Sequence, residues 1–301
     1  MFNIPISYDQ PVFRPPSEGR SFLIQVTLGC SNNLCTYCDM YRSKKYQVRE
    51  LKTILSEIDQ SSEYFQGMGI NPKKIFLCDG DALGAPMNIL IPVLEKINEK
   101  FPKIDRIGIY ATAQNILEKT DEELSLLSSL KLNMAYLGME SGSDKVLHMI
   151  VKGNTQADMI NASLKVKRNG FKLSTIAMLG LGGKKHSADH IQETIKVISE
   201  TSPEYFSFLT TMALPNTPYK RMVDRKMIEM LTTKELFFEM REIIKGINPK
   251  LNEIVFRANH ISNQYPIGGV LPQDSGEIVQ ALTSWMEQIP EGEYPPMPES
   301  M

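Results

Sequence analysis

Two periodicities alternate along this chain. Short apolar runs rich in β-branched and aromatic residues predict strands at FLIQVT (22–27), KIFLC (74–78), RIGIYAT (106–112), NMAYLGM (133–139), FKLSTIAML (171–179), YFSFLTTM (205–212) and EIVFRA (253–258). Between them, apolar residues return at helical spacing, which predicts helices near 48–65, 87–101, 120–130, 155–168, 187–200, 218–246 and 275–288. Thr120 and Glu123 have the spacing of a capping box, Thr155 can cap the next helix, and Asn169-Gly170 is its stop signal.

Strands that alternate with helices imply a parallel sheet. Six consecutive strand–helix units suggest an α/β fold of the barrel or partial-barrel kind. The division expected is an extended N-terminal segment at 1–20, a barrel core at 21–218 and a C-terminal α/β extension at 219–301 that closes the barrel and lines a substrate cavity. The tail EGEYPPMPESM, rich in Pro and Glu, is expected to be extended or frayed.

Composition narrows the function classes. With 42% hydrophobic and 23% charged residues in 301, the chain can bury a sizeable core. Its formal net charge of −2 gives no broad attraction to nucleic acid. The basic run Arg42, Lys44, Lys45, Arg49 reads as a solvated helix entry. No apolar stretch is long enough to cross a membrane, and the N-terminus lacks the apolar run of a signal peptide. The expectation is a cytoplasmic protein with no membrane partner, for which nucleic acid is not the expected partner. The oligomeric state is not legible here.

The chemistry concentrates in VTLGCSNNLCTYCDMY (26–41). Three of the four cysteines, Cys30, Cys35 and Cys38, fall in this one loop. A disulfide has no support without a secretory context. Zinc usually takes paired Cys-x-x-Cys units or histidine, but only Cys35 and Cys38 form such a pair, and no histidine lies near it. An iron–sulfur cluster with three thiolate ligands is the third reading and the one that fits best, since a four-iron cubane then keeps one iron open for chemistry. Cys78, alone on a predicted strand, reads as core.

Other unusual residues fall at the carboxyl ends of the predicted strands, where barrel enzymes build their active sites. They are Asp79-Gly80-Asp81, Glu140-Ser141-Gly142, the glycines 180, 182 and 183, Pro215-Asn216-Thr217-Pro218, and Arg257, Asn259 and His260. Each could be turn chemistry by itself. Their coincidence with the cysteine loop is the signal. His148 and His186 read as surface or loop residues, and His190 as lying on the exposed face of a helix.

GCSNNLCTYC, DGDAL, YLGMESGSDKVLHMIVKGNT, AMLGLGG and ALPNTP, in that order over about residues 20–220, resemble the radical S-adenosylmethionine (SAM) superfamily, and within it the Elp3/MiaB-like branch. The resemblance implies a partial (β/α)6 barrel with a [4Fe–4S] cluster whose open iron is chelated by SAM. One electron would split SAM into methionine and a 5′-deoxyadenosyl radical that abstracts hydrogen from a substrate. The electron donor would be a protein such as flavodoxin or ferredoxin. Residue by residue, Cys30, Cys35 and Cys38 resemble the cluster ligands, and Tyr37 the residue bordering adenine. Asp79, Gly80 and Asp81 match the segment that meets the methionyl amino group. Glu140, supported by Ser141, matches a SAM contact, and Lys152 a partner of the methionyl carboxylate. Gly180, Gly182 and Gly183 would let backbone approach adenine.

The family usually has three residues between its first two cysteines, whereas four stand here, Ser31 to Leu34. The Elp3/MiaB-like methylthiotransferases need three further cysteines for a second cluster, and Cys78 is the only spare one in this sequence. The stretch before Cys30 has no room for a cobalamin domain. The expected protein is a compact single-cluster enzyme acting on a small or medium polar substrate. Arg257 would pair an anionic group of that substrate, and His260 would donate a hydrogen bond or move a proton. The alternatives are cleavage of a different S–C bond of SAM, RNA modification at the same site, and an iron–sulfur electron-transfer or sensor protein.

Overall fold

The structure is a computed structural model that describes residues 4–297. It is an α/β fold with two compact units. The first comprises the residues up to Asn33, Met40–Leu137 and Lys165–Lys172; the second comprises Leu34–Asp39, Gly138–Leu164 and the chain from Leu173 onward.

In the first unit come β1 (Phe22–Gln25), the short pair β2 (Thr27–Leu28) and β3 (Gln47–Val48), α1 (Leu51–Gly67), β4 (Lys74–Cys78), α2 (Met87–Lys100), β5 (Arg106–Ala111), α3 (Ala113–Glu118), α4 (Asp121–Ser129) and β6 (Leu132–Glu140), whose last residues pass into the second unit. The capping box expected at the head of α4 is present, with Thr120 and Glu123 reciprocally bonded. Strands β1, β4, β5 and β6 pair in parallel, each reached through a helical crossover.

The two faces of these strands have different cover. Phe22 packs against Phe65 of α1 and against Phe101. On the other face Leu23, Phe76, Cys78, Met134 and Tyr136 form a cluster against which Tyr8 and Val12 pack. The N-terminal segment is therefore more than an extended leader. Asp9 and Gln25 exchange two 2.9 Å hydrogen bonds, backbone N–H to Oε1 and Nε2 to carbonyl. Glu18, fully buried, receives Arg106 at 2.6 Å and the hydroxyls of Ser21 and Tyr136.

The second unit contains α5 (Asp144–Met149), most of α6 (Gln156–Arg168), β7 (Lys172–Leu179), α7 (Gly183–Thr201), β8 (Tyr205–Thr210), α8 (Pro218–Asp224), α9 (Thr233–Gly246), β9 (Ile254–Ala258), β10 (Ile267–Leu271) and α10 (Ser275–Gln288). Here β7, β8 and β9 pair in parallel, and β10 lies beyond β9. Strand β10 was not foreseen. Its neighbour β9 is joined to it by a short loop, and a short connection can only return the chain antiparallel.

The single helix expected over 218–246 is two helices. Thr232 and Glu235 form a second capping box that starts α9 afresh, after Lys226 has taken φ +58. The described part of the C-terminal tail is tied down, since Thr233 N–H donates to the Glu293 carbonyl at 2.8 Å. Its last residues, 298–301, lie outside the described range. Among the described residues, no helix is long and apolar enough to cross a membrane.

Candidate active site

The first unit supplies Cys30 and the turn after β4. Asp79 has φ +70 and is fully buried. Its carboxylate accepts from Gly29 N–H (2.8 Å), Gln25 Nε2 (3.0 Å) and Lys44 Nζ (3.0 Å). In return, Gly80 N–H donates to the Gly29 carbonyl at 2.9 Å. A Cβ on Gly80 would lie 2.7 Å from Cys30 Cβ and 2.8 Å from Tyr41 Cδ2, so only glycine admits Cys30 here. The Asp79 side chain is thus a brace for the cysteine loop. The Asp81 carboxylate gathers the Ser31 hydroxyl, the Asn115 amide and, at 3.5 Å, Thr112 Oγ1.

Lys44 is a correction to the solvated basic run. It is buried and pairs with Asp79, while Arg49 makes a two-pronged bond to Glu57 at 2.8 and 2.6 Å. Cys78 is buried as expected; burial and the Asp79 carboxylate push its thiol far above the ordinary range.

The second unit supplies Cys35, Tyr37 and Cys38. Cys38 N–H approaches the Cys35 carbonyl at 3.3 Å; Thr36 N–H donates to Ile150 and its carbonyl accepts from Tyr219 N–H. None of the four cysteines is in a disulfide, and Cys30, Cys35 and Cys38 are half-exposed. No group of three or more His, Cys, Asp or Glu among the described residues gathers as a single metal ion would require. A cubane makes no such demand, because each thiolate takes a different iron. Three partly exposed thiols outside any disulfide, one of them seated against Gly80, suit that cluster by their chemistry.

Tyr37 packs against a cluster of Val146, Ile150, Met178, Leu181, Tyr219 and Ile228. Burial, the Glu140 carboxylate and the two cysteines raise its phenol pKa. Glu140 ends β6 at φ +65, and its Oε1 lies 2.9 Å from Lys152 Nζ. Lys152 is largely buried and pairs a carboxylate of the chain itself. Gly138, which the sequence reading passed over, makes room for this pair: a Cβ there would stand 2.3 Å from Glu140 Oε1 and 3.3 Å from Lys152 Nζ. An isolated glycine inside a strand was the available signal.

The glycines after β7 are closely packed on the side a Cβ would occupy. Gly180 has φ +74 and its Cβ position faces Leu236; that of Gly182 faces His186 and Val146; that of Gly183 meets the Glu229 carbonyl at 2.8 Å. Gly180 N–H donates to Glu239 Oε2 at 2.6 Å, and the Tyr219 hydroxyl donates to the Leu181 carbonyl at 3.0 Å. His190 is not exposed. It is fully buried, with Nδ1 2.8 Å from Ser141 Oγ. His186 lies on α7 beside Asp189, and His148 is exposed as expected.

Arg257 is the penultimate residue of β9, level with Ser207 of β8 and paired across to Gly268 of β10. Ser207 is in turn level with Ile176, and Leu209 with Met178. Side chains two residues apart on a strand share a face, so Arg257 lies on the same face of the second unit as Met178 and Leu209, against whose cluster Tyr37 packs. It sits one layer deeper, about 6–7 Å along the strand direction, rather than at the strand end. Its Nη1 donates to the Phe256 carbonyl at 2.7 Å, and no carboxylate pairs with it among the described residues. His260 follows the strand. Its Nδ1 accepts from Ser262 N–H at 3.1 Å and lies 2.8 Å from Ser262 Oγ, which accepts from Thr210 N–H at the end of β8. Burial lowers the His260 pKa, so the neutral ring is favoured.

The model of the radical SAM superfamily matches residues 24–198 of this chain, more than half of its length. The chain belongs to the radical SAM superfamily. It is a radical SAM enzyme whose cofactors are a [4Fe–4S] cluster and SAM. Similar curated proteins include the tRNA-2-methylthio-N(6)-dimethylallyladenosine synthases of Mannheimia succiniciproducens, 25% identical over 70% of this chain and 44% of that protein, and Hahella chejuensis, 25% identical over 88% of this chain and 58% of that protein. The chain thus spans about half the length of the curated relatives it matches.

Similar solved structures share the fold. A radical S-adenosylmethionine methyltransferase from Kitasatospora setae has a TM-score of 0.55 at 15% identity, covering 88% of this chain and 52% of that one. Coproporphyrinogen III oxidase from Escherichia coli gives 0.52 at 14%, covering 89% and 52%. These radical SAM folds agree with the partial-barrel α/β architecture expected from the strand–helix alternation.

Proposed function

We propose that the enzyme takes a hydrogen atom from a small or medium polar substrate that carries a carboxylate or phosphate, and that Arg257 anchors that group. Cys30, Cys35 and Cys38 would hold the cluster, leaving its fourth iron to SAM. When reduced, the cofactor pair supplies one electron that divides SAM into methionine and a 5′-deoxyadenosyl radical able to abstract hydrogen. The protein's part is placement. Tyr37 would border the adenine. Glu140, Ser141 and Lys152 would hold polar groups of SAM, with Asp81 and the Asp79-Gly80 backbone at its amino group.

The observation that carries the substrate reading is Arg257, an exposed guanidinium on the strand face that also carries the Tyr37 cluster, lying against Gly268 of the neighbouring strand. A planar guanidinium suits a carboxylate or phosphate. His260, with Nδ1 occupied by Ser262, would offer Nε2–H as a donor. A flavodoxin or ferredoxin would deliver the electron, in the cytoplasm.

A second reading is action on RNA, favoured by the tRNA-named relatives. The test is product analysis after anaerobic reduction with dithionite, offering in parallel a pool of polar metabolites and unmodified tRNA. 5′-Deoxyadenosine with loss of an anionic metabolite, abolished in Arg257→Met, supports the first reading. Loss of a tRNA nucleoside replaces it with the second, and a methionine-side fragment of SAM means a different bond is cleaved.

A further inference from the structure

The second unit holds a buried polar chain of which only Ser141 has a role above. Ser143 N–H donates to Ser141 Oγ at 3.1 Å, and Ser141 Oγ lies 2.8 Å from His190 Nδ1. His190 Nε2 faces Glu239 Oε2 at 3.9 Å. Glu239 then accepts from Gly180 N–H at 2.6 Å and from Ser187 Oγ at 2.7 Å. Ser141, His190 and Glu239 are each fully buried. The order of groups is that of a Ser–His–acid triad. Burial leaves no path for a substrate to the serine, so nucleophilic catalysis is ruled out.

The directions of the bonds show what the chain does. A hydroxyl that accepts from Ser143 N–H is free to donate to His190 Nδ1, so the bond ties the turn after β6 to the ring. His190 Nε2 makes no hydrogen bond among the described residues, and the Glu239 carboxylate at 3.9 Å is its nearby charge. The residue next to Ser141 is Glu140, held at φ +65 with Ser141 N–H returned to the Met139 carbonyl at 2.8 Å. A non-glycine residue in that region persists only where its surroundings fix it.

We propose that His190 is a positioning residue: buried beside Glu239, it fixes Ser141 and through it the left-handed turn that presents Glu140 to SAM. The proposal rests on the reading of Glu140 as a SAM contact. It is separable from it by experiment.

The test measures SAM affinity by equilibrium dialysis and iron per chain on anaerobically reconstituted enzyme. His190→Leu removes the acceptor at nearly constant volume, whereas His190→Asn keeps an acceptor at the Nδ1 position. His190→Leu is expected to weaken SAM binding about tenfold with iron unchanged, and His190→Asn less than about threefold, since one buried hydrogen bond is at stake. Ser141→Ala should match His190→Leu, and the double variant should be no worse than either. If His190→Leu does not fold, Ser141→Ala and His190→Asn carry the comparison.

Glu140→Ala is measured beside them. Unchanged SAM affinity in Glu140→Ala overturns the reading of Glu140 itself. A tenfold loss there, with folded His190→Leu or Ser141→Ala binding SAM as the parent does, overturns the role of His190. So does an Asn variant as impaired as the Leu variant.

Discussion

Lys44 Nζ lies 3.0 Å from Asp79 Oδ2, and both side chains are almost wholly buried, at 5% and 0% exposure. The pair closes the cysteine loop: Lys44 stands beyond its last cysteine, and Asp79 grips Gly29 just before its first. Breaking a buried ion pair from one side costs more than a surface pair is worth, because the remaining charge keeps its desolvation cost. Lys44→Met is expected to lose about 3 kcal/mol of stability and to hold its iron less firmly. Urea midpoints and iron release to a chelator measure both. A midpoint equal to that of the parent would mean that Gly29 and Gln25 satisfy Asp79 by themselves.

Alanine at Cys30, Cys35 or Cys38 should each abolish the single cluster, read as about four irons per chain in the parent. Cys78→Ala should keep the cluster, since its thiol is a core group under Asp79, and lose about 1 kcal/mol of stability for the small apolar volume removed. Iron analysis and absorption spectra of the four variants decide the assignment. A stable cluster in Cys35→Ala would remove that residue from the ligand set.

Gly138→Ala places a methyl 2.3 Å from Glu140 Oε1. The Glu140–Lys152 pair must then shift, at a cost of about 1–3 kcal/mol, and SAM affinity should fall with it. Gly276→Ala on α10 is the control, since nothing lies within 4 Å of its Cβ position. There the helix should gain about 0.5–1 kcal/mol. Equal melting temperatures for the two variants would refute the crowding argument.

Burial lowers the pKa of His190 below the ordinary histidine value, against a smaller opposing pull from Glu239. The folded state therefore binds fewer protons at this site than the unfolded chain does. Stability falls as pH drops below about 6.5 and levels off once pH is under the folded-state value. His190→Asn has no such titration and should show a shallower loss over the same window. Identical pH profiles of thermal stability for parent and variant would assign the acid sensitivity elsewhere.

Much of the fold was legible because its periodicities are local. The seven strands predicted from apolar runs and the Thr120–Glu123 capping box can be read from neighbouring residues, and the structure has them. β10 escaped, since GG interrupts an apolar run and its stability comes from pairing with β9 rather than from its own propensity. The split of the long helix at 225–232 was legible in principle, through Thr232 and Glu235, but its helical composition outweighed the cap.

The family resemblance needed only the sequence, since the cysteine loop and the motifs at strand ends are specified by residue types and spacing along the chain. The environment of each group did not. Lys44 looked like a surface lysine and His190 like an exposed helix residue, because burial depends on what the fold brings from elsewhere: Asp79 to one, Ser141 and Glu239 to the other. The neighbours of Gly180, Gly182 and Gly183, which are Leu236, His186 and Glu229, likewise come from elsewhere in the fold. Sequence thus determined the family, the cofactor chemistry and the order of elements, because these follow from local spacing. Only the tertiary structure decided which charges are buried and paired, because desolvation is a property of the packed surroundings and not of the residue.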